Sequence, residues 1–360
     1  MLEETAKLLK SRSTIVAITS SWLLGRSSEK NARSLYLLGI LPILAGIGGT
    51  YYDLTYHNTH VVDSFFQPAH LIIYSNIFLA LIIGSVIAAK TGFKSLMIAS
   101  AMLLSFGYGD LLFHNAFGFD SFLSPPHLSL LSTVILQSGI MLRKFIQIDF
   151  KLGSIVSLAC LWLVMAYLLL AFSFVSNRSS NTSYYVIAPQ PIVFLVTAFF
   201  FPALSILISK LASFAKVKML HVALLFSAVV AFGGILSNPN LTYTLPLFLI
   251  GSLVPSLIYD RRTRLGSIIL GGAWILTYTP FAYKLIIYSV SKQIISLNST
   301  YLLIPALIWY YPMMISFGII SAIITSHLVT EGTIALLLKL HKTPSSADTE
   351  TAVKSAATKA

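Results

Sequence analysis

The residues best equipped for chemistry in this chain fall in two short windows. Asp53, His57, Asp63 and His70 form one set, and Asp110, His114, Asp120 and His127 form the other. A shift of 57 residues superimposes the two sets without a gap, because both obey D-x3-H-x5-D-x6-H. Between 53 and 71, ten of nineteen positions are identical in the copy, among them Asn58 with Asn115, Phe65 with Phe122 and Pro68 with Pro125. Four of the seven aspartates and five of the eight histidines lie in these windows, a concentration that a scatter of helix caps does not produce.

The spacing has a chemical reading. Residues four apart share a helix face, so Asp53 with His57, and Asp110 with His114, can address one point. Pro68 and Pro125 suit the first turn of a following helix, which puts His70 and His127 within that turn, aimed back across the hairpin. Each copy then offers two imidazoles and a carboxylate, a ligand set for copper, zinc or non-haem iron with an open coordination position. Asp63 and Asp120 are candidates for outer acceptors that fix a histidine tautomer, or for fourth ligands. Their alternative role is a turn or N-cap before Ser and Pro.

Helices that cross a membrane must position these groups. The 360 residues are 56% hydrophobic and 10% charged, with a mean hydropathy of +0.83, far from the charged fraction of about 25% in soluble domains. Apolar stretches of about 20 residues, the length that crosses the hydrocarbon core, recur near 34–52, 70–89, 94–115, 127–144, 152–175, 189–209, 218–236, 243–259, 265–288 and 302–325. The expected fold is an all-α polytopic bundle of about ten transmembrane helices, with a tandem two-helix hairpin repeat at its N-terminal side. Its expected parts are a cytoplasmic or interfacial amphipathic segment (1–33), the duplicated hairpin region (34–144), the remaining bundle (145–341) and a disordered cytoplasmic tail (342–360).

Charge gives the orientation. Lys7, Lys10, Arg12, Arg26, Lys30 and Arg33 precede the first span, and Lys90 and Lys94, Arg143 and Lys144, Lys210, Lys216 and Lys218, and Arg261, Arg262 and Arg264 occupy every second loop. The positive-inside rule makes those loops and both termini cytoplasmic in a multi-pass cell-membrane protein. N-x-[ST] triplets at Asn177, Asn181, Asn240 and Asn298 all fall in loops assigned to the outside, as do both Asp/His windows. The net charge of +12 thus reflects topology and calls for no nucleic-acid partner. Glu3 and Glu4 ahead of the first apolar run argue against a cleavable signal peptide. A lone cysteine, Cys160, lies inside an expected span, which excludes an intrachain disulfide and a thiolate cluster.

The string D-x3-H-x12-H in Asp53, His57 and His70, repeated in Asp110, His114 and His127, resembles the metal-site motif of the C subunit of copper membrane monooxygenases, the particulate methane and ammonia monooxygenases. The resemblance covers roughly residues 45–130. In that family an Asp and two His hold copper near the outer membrane surface, and a nearby cluster uses Asn with two His; here both copies carry Asp. What the resemblance implies is metal ligation by those six side chains, copper as the favoured ion, and an oxidoreductase or monooxygenase-like subunit acting on a small molecule. Other membrane subunits would then be partners alongside the lipid bilayer, supplying electrons, since no redox cofactor motif is visible.

Two other function classes fit parts of the sequence. Parallel repeats are common in transporters, but the expected membrane interior is almost free of the ionisable residues that coupled carriers place at mid-depth. Paired histidines also permit a haem- or quinone-binding respiratory subunit, although an Asp one turn from each first His suits a non-haem ion better. No Ser or Cys nucleophile motif accompanies the histidines, which argues against classical hydrolysis.

Overall fold

A computed structural model describes residues 29–57, 66–117, 124–178, 185–189, 191–237, 297–330 and 333–334. Among these there are eight helices: α1 (Glu29–His57), α2 (Pro68–Thr91), α3 (Ser95–Phe117), α4 (Pro125–Gln147), α5 (Lys151–Ser173), α6 (Pro191–Phe214), α7 (Met219–Ser237) and α8 (Leu297–Leu328). Five segments are long and apolar enough to cross a membrane: Ala32–Asp53, Pro68–Thr91, Ser95–Phe117, Pro125–Gln147 and Lys151–Leu168. Shorter apolar helices run over Ala198–Phe214, Met219–Phe232 and Pro312–Leu328. These helices match eight of the expected spans to within a few residues. The other two, 243–259 and 265–288, lie outside the described residues, as do the segments 1–28 and 342–360.

One departure from an all-helical reading occurs where an outer loop was expected. Phe174–Arg178 (β1) pairs antiparallel with Tyr185–Pro189 (β2), in a register that sets Ser176 opposite Ile187. Val175 on one side and Tyr185, Val186 and Ile187 on the other are strand formers, and an isolated ribbon next to the end of α5 satisfies their backbone groups.

Local chemistry sets the helix ends that matter for the site. Pro68 and Pro125 each open a helix, where the missing N–H costs nothing and the fixed φ is already helical. Ser124 caps α4 by accepting the His127 N–H at 3.4 Å, which fixes His127 in the first turn. At the far end of α2, Gly92 adopts a left-handed φ of 73° and its N–H bonds the Ala88 carbonyl.

Tight connections at 92–94, 148–150 and 215–218 turn α2 into α3, α4 into α5, and α6 into α7, so consecutive helices run antiparallel. At this end the Arg33 guanidinium donates to the Ile148 carbonyl at 2.9 Å, and the Lys144 ammonium sits over the rings of Tyr36 and Phe93. Asp53, His70, Asp110, His114 and His127 lie toward the opposite ends of the same helices, away from Arg33 and Lys144.

Helix α5 is the hub, packing against α1, α4, α6 and α7. Leu158, Ala159, Cys160, Trp162 and Leu163 are fully buried there, and Trp162 stacks on Phe226 of α7, as expected for a helix that is apolar all round. Cys160 is a free, buried thiol among them. Helices α2 and α3 instead turn Leu71, Phe78 and Ile82, and Ile98, Met102 and Leu112, outward, a face that suits lipid. Helix α8 packs on α6, where the Ser321 hydroxyl bonds the Phe199 carbonyl.

Small residues permit close helix approach within the bilayer. A Cβ at Gly84 of α2 would lie 3.2 Å from the Met97 Cα and 3.3 Å from the Met97 backbone nitrogen of α3, with no flexible side chain to yield. Gly84→Val should therefore destabilise the protein by about 1–3 kcal/mol through overpacking, seen as a lowered thermal midpoint in detergent; an unchanged midpoint would mean that this contact does not set the α2–α3 spacing.

Candidate metal centre

Three helices build the better-defined half of the site. Asp110 and His114 project from the last two turns of α3, four residues apart on one face, and His127 comes from the first turn of α4. Asp110 Oδ1 lies 3.4 Å from His114 Nε2 and 3.3 Å from His127 Nε2. The ligand atoms of all three residues fall within 4.8 Å of one another, and the two imidazole rings tilt at 54° with centroids 5.4 Å apart. The other carboxylate oxygen, Oδ2, accepts a 2.7 Å hydrogen bond from the Tyr74 hydroxyl of α2.

Asp110 is 2% exposed, and its Oδ1 makes no hydrogen bond among the described residues. A buried carboxylate oxygen is costly unless it is compensated, and the two imidazole nitrogens stand in ion-pair range of this one. The same distances suit an ion held between the three groups. Two ligands of a tetrahedral ion, each at about 2.1 Å from it, are about 3.4 Å apart, and both Asp110–His separations have this value. The donor set, two nitrogens and one oxygen, fits a borderline divalent ion and leaves a coordination position open.

The other half is built differently. Asp53, near the end of α1, places Oδ1 3.3 Å from His70 Nε2, the same pairing that joins Asp110 to His127. Here the Gln67 amide donates to Asp53 Oδ1 at 2.9 Å and also stands 3.4 Å from His70 Nε2. Gln67 is the N-cap residue of α2, and its side chain makes no cap bond to its own helix. His57 is the last residue of α1, and its side chain lies outside the described residues. Asp63 and Asp120 lie outside them as well.

Both halves face one space. A cavity of about 90 Å³ among α1 to α5 is lined by Asp53 and His70 from one window, Asp110 and His127 from the other, and Tyr74 between them; most of its remaining wall is aliphatic. The Tyr74 ring meets His70 edge-on at 6.1 Å and bonds Asp110, so it links the two acid–imidazole pairs. Gly107, one turn before Asp110, makes room for it: a Cβ there would come within 2.9 Å of Tyr74 Cε1.

Sequence reading missed Gln67 and Tyr74, because neither is shared by the two copies. The residues 57 positions later are Ser124 and Leu131. The available signal was helical spacing, since Tyr74 stands four residues after His70 and so shares its face. Comparison with known families, curated proteins and solved structures finds no match to this chain. The chemistry is therefore read from the site itself.

The Tyr74 bond is open to measurement. Tyr74→Phe removes the donor to a buried carboxylate oxygen and should cost about 1–3 kcal/mol of stability in detergent unfolding. In a double-mutant cycle with Asp110→Asn, the two effects should fall short of additivity by more than about 0.5 kcal/mol. Additive effects would mean that the two residues act separately.

Proposed function

We propose that this multi-pass membrane protein holds a metal ion on Asp110, His114 and His127 and serves as an oxidoreductase or monooxygenase-like subunit. The observation that carries the reading is the buried Asp110 Oδ1, flanked by two imidazole nitrogens at tetrahedral-edge distances and lacking a hydrogen bond among the described residues. Copper is the favoured ion, with zinc or non-haem iron as alternatives for the same donors. When bound, the ion would supply Lewis acidity or a one-electron couple at the edge of the cavity.

The chain's own residues do the positioning. Tyr74 holds Asp110 through Oδ2 and leaves Oδ1 facing the imidazoles. Ser124 fixes the turn that carries His127. Asp53, His57 and His70 make a second, weaker site in this reading, because the Gln67 amide competes for Asp53 Oδ1. Electrons come from a partner subunit or a lipid-soluble donor. The motif's resemblance to the C subunit of copper membrane monooxygenases agrees with this reading. The segregation of basic side chains from the Asp/His ends supports a cytoplasmic placement of both termini, with the metal on the outer face.

Metal analysis of the purified protein, loaded in turn with copper, zinc and ferrous iron and then dialysed, tests the proposal. One tightly held equivalent is expected, with Asp110→Asn and His127→Ala each weakening it by about 10-fold or more and Asp53→Asn leaving it in place. Wild-type protein that retains none of the three ions would overturn the assignment. For topology, Lys94→Cys in sealed right-side-out vesicles should react with an impermeant thiol reagent only after the vesicles are opened, against a silent background because Cys160 is buried. Labelling of intact vesicles would reverse the orientation.

A further inference from the structure

Tyr167 is the polar group of the cavity wall that the acid–imidazole chemistry leaves unused. It belongs to α5, which carries no acid or imidazole, and it is 5% exposed. Its side chain lines the cavity and its ring meets Tyr51 edge-on, but its hydroxyl makes no hydrogen bond among the described residues. The polar groups around it are committed. Tyr51 donates to the Leu163 carbonyl at 3.0 Å, Tyr74 to Asp110 Oδ2 at 2.7 Å, Thr50 to the Gly46 carbonyl at 3.1 Å and the Asn76 amide to the Ile72 carbonyl at 2.8 Å. Gln137, deeper in the same wall, is closed off at Oε1 by its surroundings, and the Tyr167 oxygen is not.

Helix geometry sets this phenol level with the site. Tyr74, Asp110 and Tyr167 all stand about 22–26 Å from the end of the bundle where α2 stops and α3 and α5 start, at about 1.5 Å per residue. Two other groups of the wall keep surface that a ligand can reach: the Asp53 side chain is 12% exposed and that of His127 is 26% exposed. A carboxylate accepts several hydrogen bonds, so the Gln67 amide on Oδ1 does not exhaust Asp53.

These groups define what the outer end of the cavity takes. A buried water needs about 10–15 Å³ and two to four polar partners. The cavity of about 90 Å³ exceeds that volume several times over, and Tyr167, Asp53 and His127 supply the partners. An apolar occupant would leave the phenol with aliphatic neighbours alone, and a buried hydroxyl in that state is costly. Ile43, Ile77 and Leu103, in the rest of the wall, offer no hydrogen bond that would hold water there.

We infer that Tyr167 anchors a buried water site at the outer end of the cavity, its hydroxyl donated to a water that donates in turn to Asp53, with further water extending toward His127. The ligand class of this end is hydroxylic. A small molecule arriving from the membrane must therefore displace bound water there, rather than enter a dry apolar pocket. The site needs no ion, and it stands whether or not Asp110 holds one.

Water-edited solid-state NMR of the full, metal-free chain in lipid bilayers, ¹³C-labelled at tyrosine and aspartate, tests the inference. Magnetisation from water should reach Tyr167 Cζ ahead of Tyr51 Cζ, the neighbouring buried phenol whose hydroxyl is bonded to protein. Tyr167→Phe should slow the transfer to Asp53 Cγ, because the bridging water loses an anchor, and should lower the thermal midpoint. If that variant does not fold, Tyr167→Met removes the same hydroxyl and carries the same expectation. Transfer to Tyr167 no earlier than to Tyr51, or unchanged transfer to Asp53 in the variant, would overturn the inference. So would a midpoint raised by the substitution, the mark of a hydroxyl that had been dry and unsatisfied.

Discussion

A carboxylate at the end of a transmembrane helix, shielded from water, must be compensated by its neighbours or it will not stay charged. Asp110 meets that constraint with groups from three helices: the Tyr74 phenol of α2 on one oxygen, and His114 of α3 and His127 of α4 beside the other. The arrangement ties the relative depth and rotation of these helices to a few polar contacts. Hydrophobic packing alone could not do so, since lipid tails compete for every apolar face. Gly107 belongs to the same requirement, since it admits the Tyr74 ring against α3.

The two windows share a spacing but differ in how the carboxylate is satisfied. In each, an Asp oxygen and an imidazole Nε2 meet at 3.3 Å. What differs is the residue just before the proline. Gln67 is long enough to reach Asp53 and donate to it, whereas Ser124 is short and turns back to cap its own helix. The residue before the proline thus gives Asp53 an amide donor that Asp110 does not receive from Ser124. Tyr74 adds a second difference, since Leu131 stands at its counterpart and no matching phenol projects from α4.

Much of this was legible in the sequence, and the reasons are physical. Span positions followed from runs of apolar residues, which the bilayer makes close to obligatory. Asp53, His70, Asp110, His114 and His127 stood out because polar residues are costly at such depths and because spacing repeated them. Gln67 and Tyr74 did not stand out. Each bonds a carboxylate distant in sequence, at separations of 14 and 36 positions, and only their closeness to His70 is local. The ribbon of β1 and β2 was missed for another reason: five-residue strands beside sequons and serines read as a loop, and pairing rather than periodicity defines them.

The position of α5 bears on how the site could have arisen and how it is kept. Helices α1 to α4 supply the acids and imidazoles placed above, yet Val164 and Tyr167 of α5 close the cavity wall. Tyr51 of α1 donates to the Leu163 carbonyl at 3.0 Å and meets the Tyr167 ring edge-on, joining α5 to the helix that carries Asp53. Without α5 one side of the cavity would lie open. A mostly apolar helix, buried at the hub, closes that side and sets the Tyr167 ring in the wall. The acid–imidazole pairs therefore depend for their enclosure on a fifth helix that carries no acid or imidazole of its own.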